Sequence, residues 1–208
     1  MMQDRRQQFF TQEHEEGVGT FVFEIVKVLI LVLVVVAPVR IFLFQPFFVQ
    51  GASMEPNFEN GEYLIISEFG YKKTDVQVGR RSFFTIDPRK ELARGDVVVF
   101  RYPRNPEQYF IKRVVGLPGE TVTIAGGHIS IKAAHASFTT PLDESAYLDP
   151  SQETSGSFSL ALGAEEYFVL GDNRAFSHDS RAWGAVTKDH VIGKVILRAW
   201  PFHNFALY

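Results

Sequence analysis

Two hydrophobic patterns divide the chain, and the first is a long apolar run near the amino terminus. Residues 21–49 read FVFEIVKVLILVLVVVAPVRIFLFQPFFV, and from Val28 to Phe44 the only charged residue is Arg40. A helix over that stretch would be about 26 Å long at about 1.5 Å per residue, close to the hydrocarbon thickness of a bilayer. The pattern predicts one transmembrane helix over residues 21–44, preceded by a short polar tail over residues 1–20.

Charged residues around this run indicate how it would lie in a membrane. Glu24 and Lys27 are three residues apart and can pair on one helix face, while Arg40 can extend towards the lipid headgroups. The basic residues of the tail favour a cytoplasmic amino terminus, which would place residues 45–208 outside the plasma membrane. A buried helix of a soluble protein and a cleaved secretory signal are the alternatives. The run is too continuous for the first, and no small-residue cleavage site follows it for the second.

After Gln50 the pattern changes to short runs rich in β-branched and aromatic residues, separated by turn signals such as Asn60-Gly61 and Gly126-Gly127. No run outside the anchor has a helical period. Residues 45–208 are therefore expected to form a mainly β domain of folded antiparallel sheets, barrel-like or a sandwich. The predicted strands are Tyr63–Ile66, Asp96–Phe100, Phe110–Val115, Thr121–Ile124, His128–Ile131, Tyr167–Leu170 and Lys194–Ala199.

Two stretches of this domain lack a clear strand pattern and are predicted to be loops or insertions. Residues 71–92 carry six basic residues and either contact anionic lipid or form a solvated loop. Residues 133–164 are rich in Ser, Thr, Ala and acidic residues, and are predicted to be a loop-rich insertion.

Composition excludes several classes of function. The chain has 208 residues, a hydrophobic fraction of 46% and a net charge of -3, so it can build a folded core and shows no basic footprint for nucleic acid. It has no cysteine, which excludes a disulfide framework, a zinc–thiolate site and a cysteine nucleophile. Its six histidines are scattered without metal-ligand spacing. No metal, cofactor or nucleic-acid partner is expected.

Four short segments carry the candidate chemistry. Taken singly, each has an ordinary structural explanation, such as a turn serine, a lysine at a strand rim, or a surface ion pair. Their common order along one chain is what favours a functional interpretation. The segments are Gly51–Pro56 (GASMEP), Arg94–Phe100 (RGDVVVF), Phe110–Glu120 (FIKRVVGLPGE) and Gly171–Gly184 (GDNRAFSHDSRAWG).

Together, and after an amino-terminal anchor, the four segments resemble those of signal peptidase I, the leader peptidase family of the bacterial Ser/Lys type. The resemblance covers roughly residues 20–200, and the fourth segment is its most specific part. It implies a membrane-bound serine endopeptidase that removes amino-terminal signal peptides from exported preproteins. The implied location is the outer face of the plasma membrane, with preproteins and membrane lipid as partners.

The residues themselves are consistent with a serine nucleophile and a lysine base. Ser53 needs an adjacent base, because a hydroxyl is a weak nucleophile. No histidine is well placed, since Ser177, His178 and Asp179 are consecutive and cannot converge on one point. Lys112 lies in an apolar strand, where burial would lower its pKa. We therefore expect Ser53 as nucleophile and Lys112 as general base.

The resemblance also implies roles for other residues of the fourth segment. Ser177 would hydrogen-bond Lys112 and aim it at Ser53. Asp179 and Arg181 would pair and hold the loop, as structural rather than catalytic residues.

Gly171 and Asp172, at the start of that segment, are likewise expected to be structural parts of the site. For the oxyanion, the Ser53 backbone N–H is the expected donor. Some members of the family add a serine hydroxyl two residues before the nucleophile, but Gly51 occupies that position here.

The resemblance further implies a substrate pocket that admits small residues, often alanine, one and three positions before the cut. Apolar residues are expected to form its wall, although a place in the core would explain them equally well. The expected lining residues are Phe47, Val49, Met54, Phe58 and Ile111.

Four other functions compete with this interpretation. A self-cleaving repressor-type peptidase shares the dyad but would carry a DNA-binding domain in place of the anchor. The endoplasmic-reticulum type of signal peptidase has histidine where Lys112 stands. A membrane-tethered scaffold with a dead dyad stays open from sequence. A transporter is disfavoured because one predicted span is too few.

Overall fold

A computed structural model describes residues 16–36, 44–78 and 81–208. The first part of the predicted tail and residues 37–43 of the predicted span lie outside these ranges. The chain divides into two compact units, Met1–Leu43 and Phe44–Tyr208.

The described part of the first unit is helical. Helix α1 (Glu16–Leu31) continues directly into a π-helical turn over Val32–Val36. The expected pair between Glu24 and Lys27 is formed, with Lys27 Nζ 2.5 Å from Glu24 Oε1. The large apolar side chains from Phe21 to Val35 are exposed. Within the described ranges, no helix combines the length and the hydropathy that crossing a membrane requires.

The second unit consists mainly of antiparallel strands, which confirms the mainly β part of the predicted fold class. Short helices punctuate it at Ser180–Trp183 (α2) and, as 3-10 turns, at Lys188–His190 and Phe202–Asn204. The strands are β1 (Phe44–Phe48), β2 (Tyr63–Ser67), β3 (Thr74–Val78), β4 (Arg81–Ile86), β5 (Val97–Tyr102), β6 (Asn105–Gly116), β7 (Thr121–Ala125), β8 (His128–Lys132), β9 (Thr140–Pro141), β10 (Phe158–Ala161), β11 (Glu166–Leu170), β12 (Val186–Thr187), β13 (Val191–Trp200) and β14 (Ala206–Leu207).

The strands form one large sheet, one small sheet and a separate hairpin. The eight-stranded sheet has the order β1-β2-β13-β5-β6-β11-β12, with β14 beside β13. The four-stranded sheet has the order β10-β7-β8-β9, and β3 pairs with β4 alone. Every predicted strand is present; five are one residue longer than predicted, β13 is four residues longer and β6 is six residues longer.

The two stretches predicted to be loops or insertions contain short strands that the sequence pattern did not indicate. The hairpin β3–β4 lies within residues 71–92, and β9 and β10 lie within residues 133–164. The short strands β9 and β10 are held by pairing with β8 and β7. Such partners are distant in sequence and leave little local signal.

Three apolar clusters fill the second unit, and alternation along β6 distributes its residues among them. Ile111 packs against the first cluster, Val114 belongs to the second and Val115 to the third. The first cluster includes Met54 and Phe58, which are 1% and 0% exposed. Burying side chains of this size contributes roughly 1.5–3 kcal/mol each, so the turn after residue 53 is firmly anchored.

Two strand edges of the large sheet face a common space. Strand β11 pairs with β6 only between Arg113 and Gly116, so the described strands leave the preceding part of β6 unpaired on that side. At the other end of the order, β1 pairs with β2 alone. The rings of Phe47 in β1 and Tyr109 in β6 are nevertheless 5.7 Å apart. The sheet therefore curls until its first strand approaches β6, as a barrel-like fold requires.

Gly116 lies where β6 meets the small sheet. Substitution of this residue would test how tightly the junction is packed. A Cβ at this position would lie 2.8 Å from Leu162 Cδ1 and 2.9 Å from Phe168 Cβ. Overpacking of this kind costs about 1–3 kcal/mol. We expect Gly116→Ala to lower the free energy of unfolding by that amount in urea titrations followed by tryptophan fluorescence.

Gly163→Ala is the matched control. Its Cβ would meet only the flexible end of Glu166, at 3.3 Å, in an exposed turn. Equal stability of wild type and Gly116→Ala would show that the junction is looser than described.

Candidate active site

The turn that carries Ser53 is held by its own backbone and by the core beneath it. Gly51, at a φ of +88°, starts the turn and donates its N–H to Asn60 Oδ1 at 2.9 Å. Phe58 N donates to Met54 O at 2.9 Å, closing the far end. Only Gly adopts a φ near +90° without strain, so glycine is needed at this position for the backbone conformation of the turn.

Lys112 lies in strand β6, and its side chain reaches Ser53. Its Nζ lies 2.6 Å from Ser53 Oγ and 2.8 Å from the carbonyl oxygen of Ile111. The residue is 3% exposed, and the ring of Phe110 lies 5.7 Å from Nζ. This is hydrogen-bond distance between an alcohol and an amine that solvent barely reaches.

Burial has the expected effect on the lysine. It lowers the pKa of Lys112 from 10.5 to about 8, although the negative charges of Asp179 and Asp172 oppose the shift. The direction follows from desolvation, which disfavours the charged ammonium. A substantial fraction of Lys112 is therefore neutral near pH 8.

The loop that begins at Gly171 lies directly against the turn that carries Ser53. Asn173 N donates to Ser53 O at 3.1 Å, and Asn173 Nδ2 donates to Ala52 O at 3.0 Å. A Cβ on Gly171 would collide with Ser53 O and with Ser177 Oγ. Gly171 thus allows the loop and the turn to approach, which agrees with the structural role predicted for it.

The Ser53 N–H stays available in this arrangement. Among the hydrogen bonds of residues 16–36, 44–78 and 81–208 it donates to no other group. Such a free backbone donor beside the hydroxyl is suited to an oxyanion.

Asp179 and Arg181 form the predicted pair. Arg181 Nε donates to Asp179 Oδ1 at 2.8 Å, and Nη2 donates to Oδ2 at 2.9 Å. Asp179 also accepts the Gly171 N–H at 3.1 Å, which closes the loop on itself. Burial acts to raise the pKa of Asp179, but the guanidinium of Arg181, the Ser177 hydroxyl and the Gly171 N–H together outweigh it, and the pKa lies below its ordinary value.

Ser177 does not form the hydrogen bond with Lys112 that the resemblance implies. Its Oγ is buried and has no hydrogen-bond partner among the described residues, while Lys112 bonds to Ser53 and Ile111. The hydroxyl interacts electrostatically with Asp179, without the geometry of a hydrogen bond. The carbonyl of Ile111 thus takes the place expected for Ser177 at the amine.

A buried ion pair lies beneath the dyad. Arg113 Nε donates to Asp172 Oδ1 at 2.8 Å and Nη2 donates to Oδ2 at 2.5 Å. Asp172 is 0% exposed, and it accepts a further bond from Asn57 Nδ2 at 2.9 Å. Because Arg113 follows Lys112 and Asn57 lies at the far end of the Ser53 turn, this ion pair connects the segments that carry Lys112 and Ser53.

A cavity of about 730 Å3 opens beside the dyad. Ser53 and Lys112 line it together with three of the predicted pocket residues, Phe47, Val49 and Ile111. Met54 and Phe58 do not reach its wall, which corrects the prediction for them. Both side chains turn into the first apolar cluster and are almost fully buried.

The sequence did not indicate that other residues also line the cavity. Tyr109 and Gln108 come from the open edge of β6, and Phe176 and His178 come from the loop after Gly171. Phe176 is 78% exposed. Only its position inside the GDNR segment, where it interrupts a polar stretch, hinted that it was unusual.

No group of three or more metal-ligating side chains gathers anywhere in the described ranges. The arrangement around the cavity brings together a hydroxyl, a buried amine within hydrogen-bond distance of it and a free N–H donor. It is suited to acyl transfer from an extended chain.

Comparison with known proteins agrees with this chemistry. Residues 22–200 match the family described as signal peptidase, peptidase S26. Signal peptidase I of Leptolyngbya laminosa is 32% identical over 186 residues, which cover 86% of this chain and 80% of that protein. Signal peptidase I of Bacillus caldolyticus is 33% identical over 181 residues, which cover 83% of this chain and 88% of that protein.

Among solved structures, a signal peptidase I from Enterococcus faecalis is 32% identical and covers 50% of this chain and 97% of its own, with a TM-score of 0.41. The family match extends over most of the chain, from the described helix to the last long strand. The chain therefore belongs to the signal peptidase family, peptidase S26.

Proposed function

We propose that this chain is a membrane-anchored serine endopeptidase that removes amino-terminal signal peptides from exported preproteins, with Ser53 as nucleophile and Lys112 as general base. The observation that carries the proposal is the 2.6 Å separation of Lys112 Nζ and Ser53 Oγ at a lysine that is 3% exposed. Family membership supplies the reaction class, and this pair supplies the groups that the reaction needs.

Acylation begins with a proton transfer. Neutral Lys112 takes the hydroxyl proton of Ser53 as Oγ attacks the scissile carbonyl carbon. The negative charge that develops on the carbonyl oxygen is stabilised by the free N–H of Ser53. When the tetrahedral intermediate collapses, the C–N bond breaks and the Lys112 ammonium gives its proton to the leaving amine.

Deacylation uses the same groups in a second cycle. Lys112 is again neutral and takes a proton from a water molecule that attacks the ester carbon. The Oγ–C bond breaks, Ser53 recovers a proton from Lys112, and the signal peptide leaves with a free carboxylate. One base serves both steps because it stays within hydrogen-bond reach of Oγ.

The cavity supports an extended substrate beside Ser53. It lies between the open edge of β6 and the β1 edge, and each offers backbone groups that a peptide could pair with. Phe47, Val49 and Ile111 form an apolar wall next to the nucleophile. We assign these three to the pockets for the small residues before the cut, and Met54 and Phe58 to the support behind them.

The amino-terminal unit supports membrane attachment. Large apolar side chains are exposed along α1 and the following turn, at 42% to 69%. A helix that is hydrophobic on all sides needs an apolar environment. We propose that residues 21–44 anchor the chain, with residues 1–20 cytoplasmic and residues 45–208 outside the plasma membrane.

A direct test uses the purified full-length chain in detergent and a signal-bearing precursor. We expect the wild type to cleave after the signal peptide, and Ser53→Ala and Lys112→Ala each to lower kcat/KM by at least about a thousandfold, because each removes one member of the dyad.

His128→Ala is the control, since it removes an exposed histidine of β8 that does not line the cavity. Equal processing by the wild type and both dyad variants would leave a contaminating peptidase or a binding role as the explanation.

The pH dependence should report the lysine. Because only neutral Lys112 accepts the Ser53 proton, we expect kcat/KM to rise with pH and reach half of its plateau near pH 8, where the pKa of Lys112 lies. Initial rates across the neutral to alkaline range would show this. A profile that falls over that range would require a protonated Lys112 instead.

The burial of Lys112 should also lower the free energy of unfolding of the protein. The unfolded chain binds the Lys112 proton more tightly than the folded chain, whose pKa is about 8 instead of 10.5. The penalty, about 3 kcal/mol, is fully present below pH 8 and fades as the pH rises towards 10.5.

Lys112→Met would remove this penalty together with about 1 kcal/mol of hydrogen bonding. We expect the variant to be inactive yet about 2 kcal/mol more stable than wild type at about pH 7, and about 1 kcal/mol more stable at about pH 9. Urea unfolding at the two pH values measures both differences. A less stable Lys112→Met at neutral pH would show that the amine is better solvated than described.

A further inference from the structure

The segment Leu142–Ser155, here called the strap, leaves the small sheet and returns to it. Leu142 N donates to Ile129 O at 2.9 Å at one end, and Thr154 N donates to Gly127 O at 2.9 Å at the other. Between these anchors the strap has no strand of its own. It turns at Glu144, whose carbonyl accepts the N–H groups of Tyr147 and Leu148. This turn lies against the active site.

The first contact of the strap is an ion pair with the loop after Gly171. Arg174 Nη2 lies 2.5 Å from Glu144 Oε1, and Nη1 lies 3.0 Å from Oε2. The same guanidinium donates to Thr154 Oγ1 and, through Nε, to Gly171 O at 3.0 Å. The side chain of Arg174 is 1% exposed and that of Glu144 is 11% exposed. Glu144 thus supplies the counter-charge that this buried cation needs.

The second contact reaches the nucleophile turn. Tyr147 O accepts a hydrogen bond from Asn57 Nδ2 at 2.6 Å, and Asn57 also bonds to Asp172. The ring of Tyr147 lies under the guanidinium of Arg113 at 4.2 Å, and its hydroxyl donates to Glu144 at 2.8 Å. One turn of the strap therefore touches Arg113 directly and reaches Asp172, the other partner of the buried ion pair, through Asn57.

These contacts surround Ser53 from two directions. Arg174 is next in sequence to Asn173, which bonds to both Ser53 O and Ala52 O. Asn57 lies at the other end of the same turn. A strap that fixes Arg174 and Asn57 consequently fixes the main chain on both sides of Ser53.

We infer that the strap is a positioning element of the active site, in which Glu144 and Tyr147 hold Ser53 at proton-transfer distance from Lys112. The inference rests on the proposed function, since it assigns a role within the same reaction. The apolar packing of the strap is small by comparison: Leu142 joins the third cluster only as a partly buried member, and Leu148 belongs to none of the three. Its polar contacts are concentrated at the site.

The test compares Glu144→Ala, Glu144→Gln and Tyr147→Phe with Glu153→Ala, whose carboxylate is exposed on the same strap. Full-length variants in detergent are assayed with the precursor, and rates are expressed per folded molecule from tryptophan fluorescence. A misplacement of about 1 Å can lower a rate by about a hundredfold. We expect Glu144→Ala to lower kcat by about 10- to 100-fold with KM changed less than about threefold, because the cavity wall is left intact.

The kcat values of the two conservative variants should lie between those of Glu144→Ala and the wild type. Glu144→Gln keeps one acceptor for Arg174 and should recover part of the lost kcat, while Tyr147→Phe keeps the backbone bond to Asn57 and should lose least. Glu153→Ala should match wild type. If Glu144→Ala does not fold, Glu144→Gln and Tyr147→Phe carry the test alone.

Other results separate this inference from the proposed function. Unchanged kcat per folded Glu144→Gln and Tyr147→Phe molecule, with only lower stability, would overturn the positioning role and leave the dyad assignment in place. A loss confined to KM would also overturn it, since that would assign the strap to substrate binding. No cleavage by the wild type would remove the proposed function itself.

Discussion

The buried position of the Lys112 amine is the constraint on which the rest of the site depends. An ammonium group loses most of its hydration at 3% exposure, and the chain replaces that hydration with only a serine hydroxyl and one carbonyl oxygen. Two nearby carboxylates, Asp179 and Asp172, act in the opposite direction and favour the charged ammonium. Both are also engaged by guanidinium groups, Asp172 by Arg113 and Asp179 by Arg181. The arginines therefore protect the neutral state of the lysine as well as holding the loops.

The same ion pairs explain how flexible turns can carry precise chemistry. Ser53 lies in a turn and not in a strand, and such positions are ordinarily among the more mobile parts of a fold. Here the turn is anchored below by Met54 and Phe58 and at the side by Asn173. Because removing one partner of a buried charge pair leaves the other uncompensated, each pair makes loosening of these loops costly.

The mainly β fold and the approach of Lys112 to Ser53 were predictable because their signals are local. Strands such as β7 and β8 alternate over five residues and are joined by two glycines, so the pattern alone defines the hairpin. Ser53 and Lys112 stood in short segments of unusual composition. Glu144 and Tyr147 were not predictable in this way, because their partners lie at Arg174 and Asn57 and the strap has no periodicity. The prediction that Met54 and Phe58 line the pocket was wrong for a related reason. The sequence does not show whether an apolar residue next to Ser53 faces the cavity or the core.

The open edge of β6 has a consequence for how copies of this protein behave towards one another. Unpaired strand edges are templates for association between identical chains. At the outer end of this edge stand Pro106, which has no N–H to donate, and the exposed carboxylate of Glu107. The stretch that remains receptive is the short one from Tyr109 to Ile111, which lines the cavity. A bulky folded neighbour would find little room to add a strand there, whereas a single unfolded chain could enter.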